Sequence, residues 1–278
     1  MYNFFLGSRD DIEADPRTFL VAIKRMLPRW ANSLPDSEFH ALIDLIESQD
    51  HARPPVFVET GAGASTIVFI HYAMQHGGRV LSWDLNPSKG SFIHGVCGET
   101  LAAHHGKSVS SHWTFVSSGS LSPHTGMEVL GELVDRVDLS FHDSDHTWET
   151  TKGEVEAVLP LMEDGAIVCI DDANQGYRHI YEPLVNMTRK KIGLPPIDAI
   201  ADNRTEPLYD NVPRLLRRYF ERIDEMNEPF RSRLEDDLYY TWYNVDRRRM
   251  SEMGMEKFAD VRNRFAAWKL SGRIAPAG

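Results

Sequence analysis

Across residues 55–172, short apolar runs alternate with longer amphipathic segments, and nothing else in the chain restricts its fold so tightly. Runs at 56–59, 80–84, 113–116, 137–143 and 166–171 have the length and β-branched content of strands buried on both faces. Helical patterns lie between them, near 65–75, 91–104, 126–134 and 147–162. Parallel neighbours need crossovers, so five such strands joined by four helices predict a doubly wound α/β sheet that takes ligands at its strand C-termini. The aromatic, β-prone segments 239–245 and 265–270 predict a closing antiparallel pair. The whole is then a mostly parallel, seven-stranded Rossmann-like sheet with helical N-terminal and C-terminal additions.

Residues 1–54 read as a helical extension. Asp15 is an N-cap followed by Pro16 at the first helical position, and Phe19, Ile23, Met26 and Trp30 form one apolar stripe. Pro28 kinks that helix or ends it early. A second helix over 37–47 turns Phe39, Leu42, Ile43 and Ile46 inward, and Arg53-Pro54-Pro55 marks the join to the main domain, 55–278. Beyond the fifth strand, 177–191 reads as helix and 211–234 as one or two charged amphipathic helices, within a helical insertion at about 196–236.

The ionisable residues collect where the strands end. Val56-Phe57-Val58 runs into Glu59-Thr60-Gly61-Ala62-Gly63-Ala64-Ser65, a glycine turn that opens a helix and can bring backbone N–H groups against a ligand. The dinucleotide spacing G-x-G-x-x-G fails, because Thr66 stands where the third glycine belongs. Asp84 ends the next run, 21 residues past Gly63, where a carboxylate can accept from both hydroxyls of a ribose. The fourth run ends in His142-Asp143-Ser144-Asp145-His146 and the fifth in Asp171-Asp172. Neighbouring strand ends bring Asp143, Asp171 and Asp172 together, and three carboxylates in a partly desolvated site call for a counter-charge such as Mg²⁺.

E-x-G-x-G-x-[GS] resembles the first motif of class I S-adenosylmethionine-dependent methyltransferases. The acids resemble those of metal-dependent O-methyltransferases of the catechol and macrocin types, over roughly residues 55–173. That resemblance implies that Gly61, Gly63 and Ser65 approach the methionine part of the cofactor, while Glu59 meets its ammonium directly or through water. It implies ribose contact for Asp84, adenine contact for Ser120 in the turn after the third strand, and a metal held by Asp143, Asp171 and Asp172, with Asp143 also lining the cofactor pocket. Asp145 matches the proposed base of the macrocin-type D-G-D pattern, although Ser144 replaces the glycine, and His146 is the second candidate base. The implied activity is O-methylation of a small hydroxylated acceptor (sugar, phenol or natural product), with Tyr177, Tyr240 and Trp242 as candidate pocket aromatics. A metal-independent methyltransferase, a hydroxylase-like relative and a non-catalytic cofactor-binding scaffold are the alternatives.

Composition narrows the partners. A formal charge of −11 argues against nucleic acid or an anionic membrane surface. Cys97 and Cys169 are too few and too far apart for a thiolate zinc site or a disulfide framework, and the N-terminal apolar patch is too short for a signal peptide, so a cytoplasmic location is expected. The amphipathic N-terminal region suits a partner subunit as well as its own core, which is compatible with a homo-oligomer.

Overall fold

The structure, a computed structural model, describes residues 9–118 except 33, 35 and 51, then 127–171 except 145, then 173, 190–195 except 192, 208–226 and 266–274. Among the described residues, seven strands form one sheet in the order β3-β2-β1-β4-β5-β7-β6. They are β1 Val56–Thr60, β2 Arg79–Trp83, β3 Trp113–Val116, β4 Val137–His142, β5 Met162–Ile170, β6 Phe220–Glu225 and β7 Ala266–Arg273. The first five are parallel, and β7 is antiparallel to both of its neighbours. Strand order reverses between β1 and β4, so the ligand crevice of such a sheet lies where Thr60 and His142 end side by side.

The parallel strands are buried on both faces. Phe57, Leu139, Phe141, Ile167 and Cys169 point to one face, and Val56, Val58, Leu81, Trp83, Val168 and Ile170 to the other. On the first face lie α4 Ala64–His76, α5 Pro87–Glu99 and α6 Leu101–His105, covered in turn by the N-terminal helices. Those are α1 Arg9–Ala14, α2 Pro16–Lys24 and α3 Asp36–Glu47. Phe69 of α4 anchors this layer, with ring centroids 5.2 Å from Phe57 and 6.1 Å from Phe141. The second face carries α7 Leu130–Leu133, α8 Trp148–Val158 and α9 Leu208–Leu216. Among the described residues, no helix is long and apolar enough to cross a membrane.

Asp15 caps α2 as expected, its Oδ1 accepting from the Thr18 N–H at 3.1 Å. The apolar stripe, however, stops at Ile23. The N–H groups of Met26 and Leu27 bond three residues back rather than four, which tightens the chain into a turn ahead of Pro28. Leu27 is therefore buried, while Met26 and Trp30 are exposed. The helix expected over 91–104 begins earlier, with Asn86 capping the Ser88 N–H and Pro87 in the first turn, and breaks at Thr100.

The C-terminal part departs further. Where the charge pattern of 211–234 predicts helix, α9 gives way to β6, whose residues Phe-Glu-Arg-Ile-Asp-Glu form the edge of the sheet. Charged side chains blunt an exposed edge, so this strand lacks the apolar alternation of a central one. Arg222 and Asp224, two apart and therefore on one face, form an ion pair at 2.5 Å. The strand expected at 265–270 is present as β7, but its partners are β5 and β6 rather than 239–245, a segment outside the described residues.

Candidate active site

The glycine turn is fixed from three sides. Gly61 has φ +85, and its N–H donates to the Trp83 carbonyl at 2.8 Å. A Cβ at this position would lie 1.8 Å from the Asp143 carbonyl oxygen, so the loop lies directly on the end of β4. Gly63 is extended, its N–H donates to Thr66 Oγ1 at 2.9 Å, and a Cβ there would come within 3.2 Å of the Ala31 carbonyl of the N-terminal extension. The backbone of the turn thereby stays close to the mouth of the crevice.

Glu59 and Ser65 occupy a different place from the one the resemblance implies. The Glu59 carboxylate is fully buried behind the loop and accepts from Ser82 Oγ at 2.5 Å, Thr66 Oγ1 at 2.5 Å and Ser65 Oγ at 2.8 Å. The β1–β2 register sets Ser82 opposite Glu59, and the first turn of α4 supplies the other two hydroxyls. Three hydroxyls aimed at one carboxylate clamp the strand end to the helix start. Ser65 therefore points inward, and Glu59 holds the turn in shape from beneath rather than presenting its charge at the surface. Burial outweighs these hydrogen bonds and lifts the Glu59 pKa from an ordinary 4.5 to about 7.

A raised acid pKa gives stability that is complete below pH 4.5 and is lost as pH rises through 7. The full loss amounts to about 3 kcal/mol. Glu59→Gln should lack that alkaline loss, so that its urea midpoint rises relative to the parent's between pH 5 and pH 8, and a variant whose profile runs parallel to the parent's would refute the assignment.

Asp84 lies at the end of β2 with its side chain 8% exposed. Its Oδ1 accepts from the Asn86 N–H at 2.8 Å and its Oδ2 from Lys89 Nζ at 2.8 Å. Lys89, one turn into α5, is a partner that strand-end reasoning missed; its five-residue spacing from Asp84 across an Asn-Pro helix start was the available signal. Ser120 lies outside the described residues.

Across the crevice, Asp143, His146 and Asp171 converge, with one ligand atom of each lying within 4.8 Å of the others. His146 Nε2 is 3.4 Å from Asp143 Oδ1, and its Nδ1 is 3.3 Å from the Asp171 carbonyl oxygen. The ring reaches this position because His146 adopts φ +57, a left-handed conformation rare outside glycine. His146, read from sequence as a base, thus stands between the two carboxylates. Asp145 and Asp172 lie outside the described residues. Two carboxylate oxygens and an imidazole nitrogen fit a divalent cation, and the imidazole favours Mn²⁺, Fe²⁺ or Zn²⁺ over Mg²⁺. Both cysteines are buried, and burial pushes their thiol pKa values up, so neither offers a thiolate here.

Residues 58–173 match a family model described as a methyltransferase domain. No curated protein matches the chain. Among solved structures, a provisional O-methyltransferase of Klebsiella pneumoniae is 14% identical, with 95% of each chain covered and a TM-score of 0.51. An O-methyltransferase of Bacillus cereus bound to S-adenosylhomocysteine (SAH) is 14% identical, covering 81% of this chain and 91% of that one, with a TM-score of 0.45. An O-methyltransferase of Streptomyces achromogenes involved in tomaymycin synthesis, in complex with S-adenosylmethionine, is 13% identical, covering 93% and 90%, with a TM-score of 0.47. At such identities the likeness is one of fold.

Proposed function

We propose that the chain, whose residues 58–173 match a methyltransferase-domain model, is a class I S-adenosylmethionine-dependent methyltransferase that O-methylates a small hydroxylated acceptor with the help of a divalent cation. The observation that supports this reading is the direct packing of the glycine turn on Asp143, beside the Asp143–His146–Asp171 cluster; in this reading the turn would hold the methyl donor and the cluster the acceptor oxygen. Backbone N–H groups of the turn other than those of Gly61 and Gly63 would bind the methionine carboxylate, and Asp84 would exchange Lys89 for the ribose hydroxyls. Asp143, His146 and Asp171 would hold the cation, which lowers the pKa of a hydroxyl bound to it. Asp145 is the base in this scheme, taking the acceptor proton as the oxygen attacks the methyl carbon in line with the departing sulfur.

Calorimetry with SAH tests the cofactor half. The chain should bind it, and Asp84→Ala should weaken binding by about 1–3 kcal/mol for two lost charge-assisted hydrogen bonds. The cation half is tested by methyl release from labelled S-adenosylmethionine over a panel of catechols and sugars. Excess chelator should stop turnover and Mn²⁺ should restore it; full turnover in chelator would sink the metal proposal.

A further inference from the structure

We propose that Glu154 is a positioning residue that locks the cofactor turn and the Asp–His cluster into one unit, so that a ligand in either raises affinity in the other. The inference rests on the methyltransferase reading above. Glu154 is buried on the sheet side of α8, among Thr151, Val155 and Val158. Its Oε2 accepts from Thr60 Oγ1 at 2.8 Å and lies 3.3 Å from His142 Nδ1. Thr60 immediately precedes Gly61, and His142 immediately precedes Asp143. One carboxylate oxygen thus grips the last strand residue before the turn and the last before the cluster.

The surrounding bonds make this grip specific. Thr60 and His142 are register partners on β1 and β4, and the Asp143 N–H donates to the Thr60 carbonyl at 2.8 Å. The His142 carbonyl accepts from the Asp171 N–H at 2.9 Å, so the second carboxylate of the cluster hangs from the same residue. His142 Nε2 lies 3.0 Å from Ser140 Oγ, which is buried. Both ring nitrogens thus have a partner, and Nδ1–H can donate to the Glu154 carboxylate while Nε2 pairs with the Ser140 hydroxyl. A shift of His142 toward or away from Glu154 therefore moves Asp143 and Asp171 together, and a shift of Thr60 moves Gly61.

Packing alone does not account for a carboxylate here. Glu154 Oε1 is buried and meets no donor among the described residues. An incompletely bonded buried carboxylate costs free energy that an apolar side chain of similar volume avoids. What the carboxylate supplies is a fixed separation between two strand ends, one followed by the glycine turn and the other by the Asp–His cluster.

The test uses the full chain with two probes, SAH and Mn²⁺. Mn²⁺ is titrated with and without saturating SAH, followed by electron paramagnetic resonance, and SAH is titrated with and without Mn²⁺ by calorimetry. In the parent, each probe should tighten the other by the same factor, about tenfold. Glu154→Gln should bind each probe singly within about threefold of the parent yet show coupling below about twofold. Glu154→Asp, too short to span both partners, should behave likewise and serves if the glutamine variant does not fold. A purely structural role would weaken both probes in parallel with thermal stability and leave their ratio of affinities intact. That result, or full coupling in either variant, overturns the proposal. Failure of the parent to bind SAH at all would overturn the methyltransferase reading and this inference with it. Binding of both probes by the parent without coupling would overturn the inference alone.

Discussion

Gly61→Ala should abolish SAH binding and destabilise the domain by about 3–5 kcal/mol, more than a methyl added to any other glycine among the described residues. Two costs combine. At φ +85 a Cβ is strained, by about 1–2 kcal/mol for a left-handed residue. The added carbon would also lie 1.8 Å from the Asp143 carbonyl oxygen and 2.7 Å from its carbon, and both are backbone atoms at the end of a central strand. Relief requires the turn to lift off β4 by more than an ångström, which separates the glycine turn from the cluster and breaks the Gly61 N–H bond to Trp83. A displacement of that size costs about a hundredfold in a site that depends on alignment. Gly77→Ala is the matched control. It caps α4 at φ +74 with nothing within 4 Å of where the new methyl would stand, so it should lose only about 1 kcal/mol and keep its ligand. Equal effects at the two positions, read from urea midpoints and calorimetry, would show that the contact with Asp143 is not what Gly61 provides.

The five parallel strands were legible because buried parallel strands leave continuous apolar runs, and each run here ends in a residue that cannot continue it. The same logic located Gly61, Asp84, Asp143 and Asp171 at strand ends. What sequence concealed were interactions across the fold. Nothing local distinguishes a Glu59 that faces a ligand from one buried under Ser65, Thr66 and Ser82, because that depends on the β1–β2 register and the angle at which α4 leaves the turn. Glu154 was silent for a similar reason. It is an acid on a charged helix, and only the packing of α8 on the sheet reveals that it reaches two strand ends. The Asn86-Pro87 start of α5, by contrast, carries the same cap-and-proline signal as Asp15-Pro16 and was available to the same reasoning. β6 was lost because an edge strand guarded by charge imitates a solvated helix.

The parent protein should keep a nearly level urea midpoint between about pH 5 and 7, as two opposed titrations conceal one another, and His71→Phe should expose the balance. His71 is buried on α4 with Nδ1 3.1 Å from His105 Nε2, and the His105 and His104 ring centroids lie 4.9 and 6.4 Å away. Burial first, then His105, His104 and His76, lower its pKa from 6.5 to about 3. The folded protein therefore resists a proton that the unfolded chain accepts. Stability from His71 is complete above pH 6.5 and lost as pH falls toward 3, about 2 kcal/mol by pH 5 and about 4–5 kcal/mol in full. Glu59 runs the other way, losing about 2 kcal/mol between pH 5 and 7. Replacing His71 by phenylalanine, which suits the aromatic surroundings of Tyr72 and His104, removes the acid slope and leaves the Glu59 loss visible. That variant should fall by about 2 kcal/mol from pH 5 to 7, and Glu59→Gln should rise by about as much. A His71→Phe profile parallel to the parent's would mean that the imidazole is protonated in the folded state, with the α4–α6 contact opening to admit the charge. Because α4 begins at the glycine turn proposed to bind the cofactor, SAH affinity measured at pH 5 distinguishes that outcome: an opened helix pair loses the ligand, whereas a closed one holding neutral His71 keeps it.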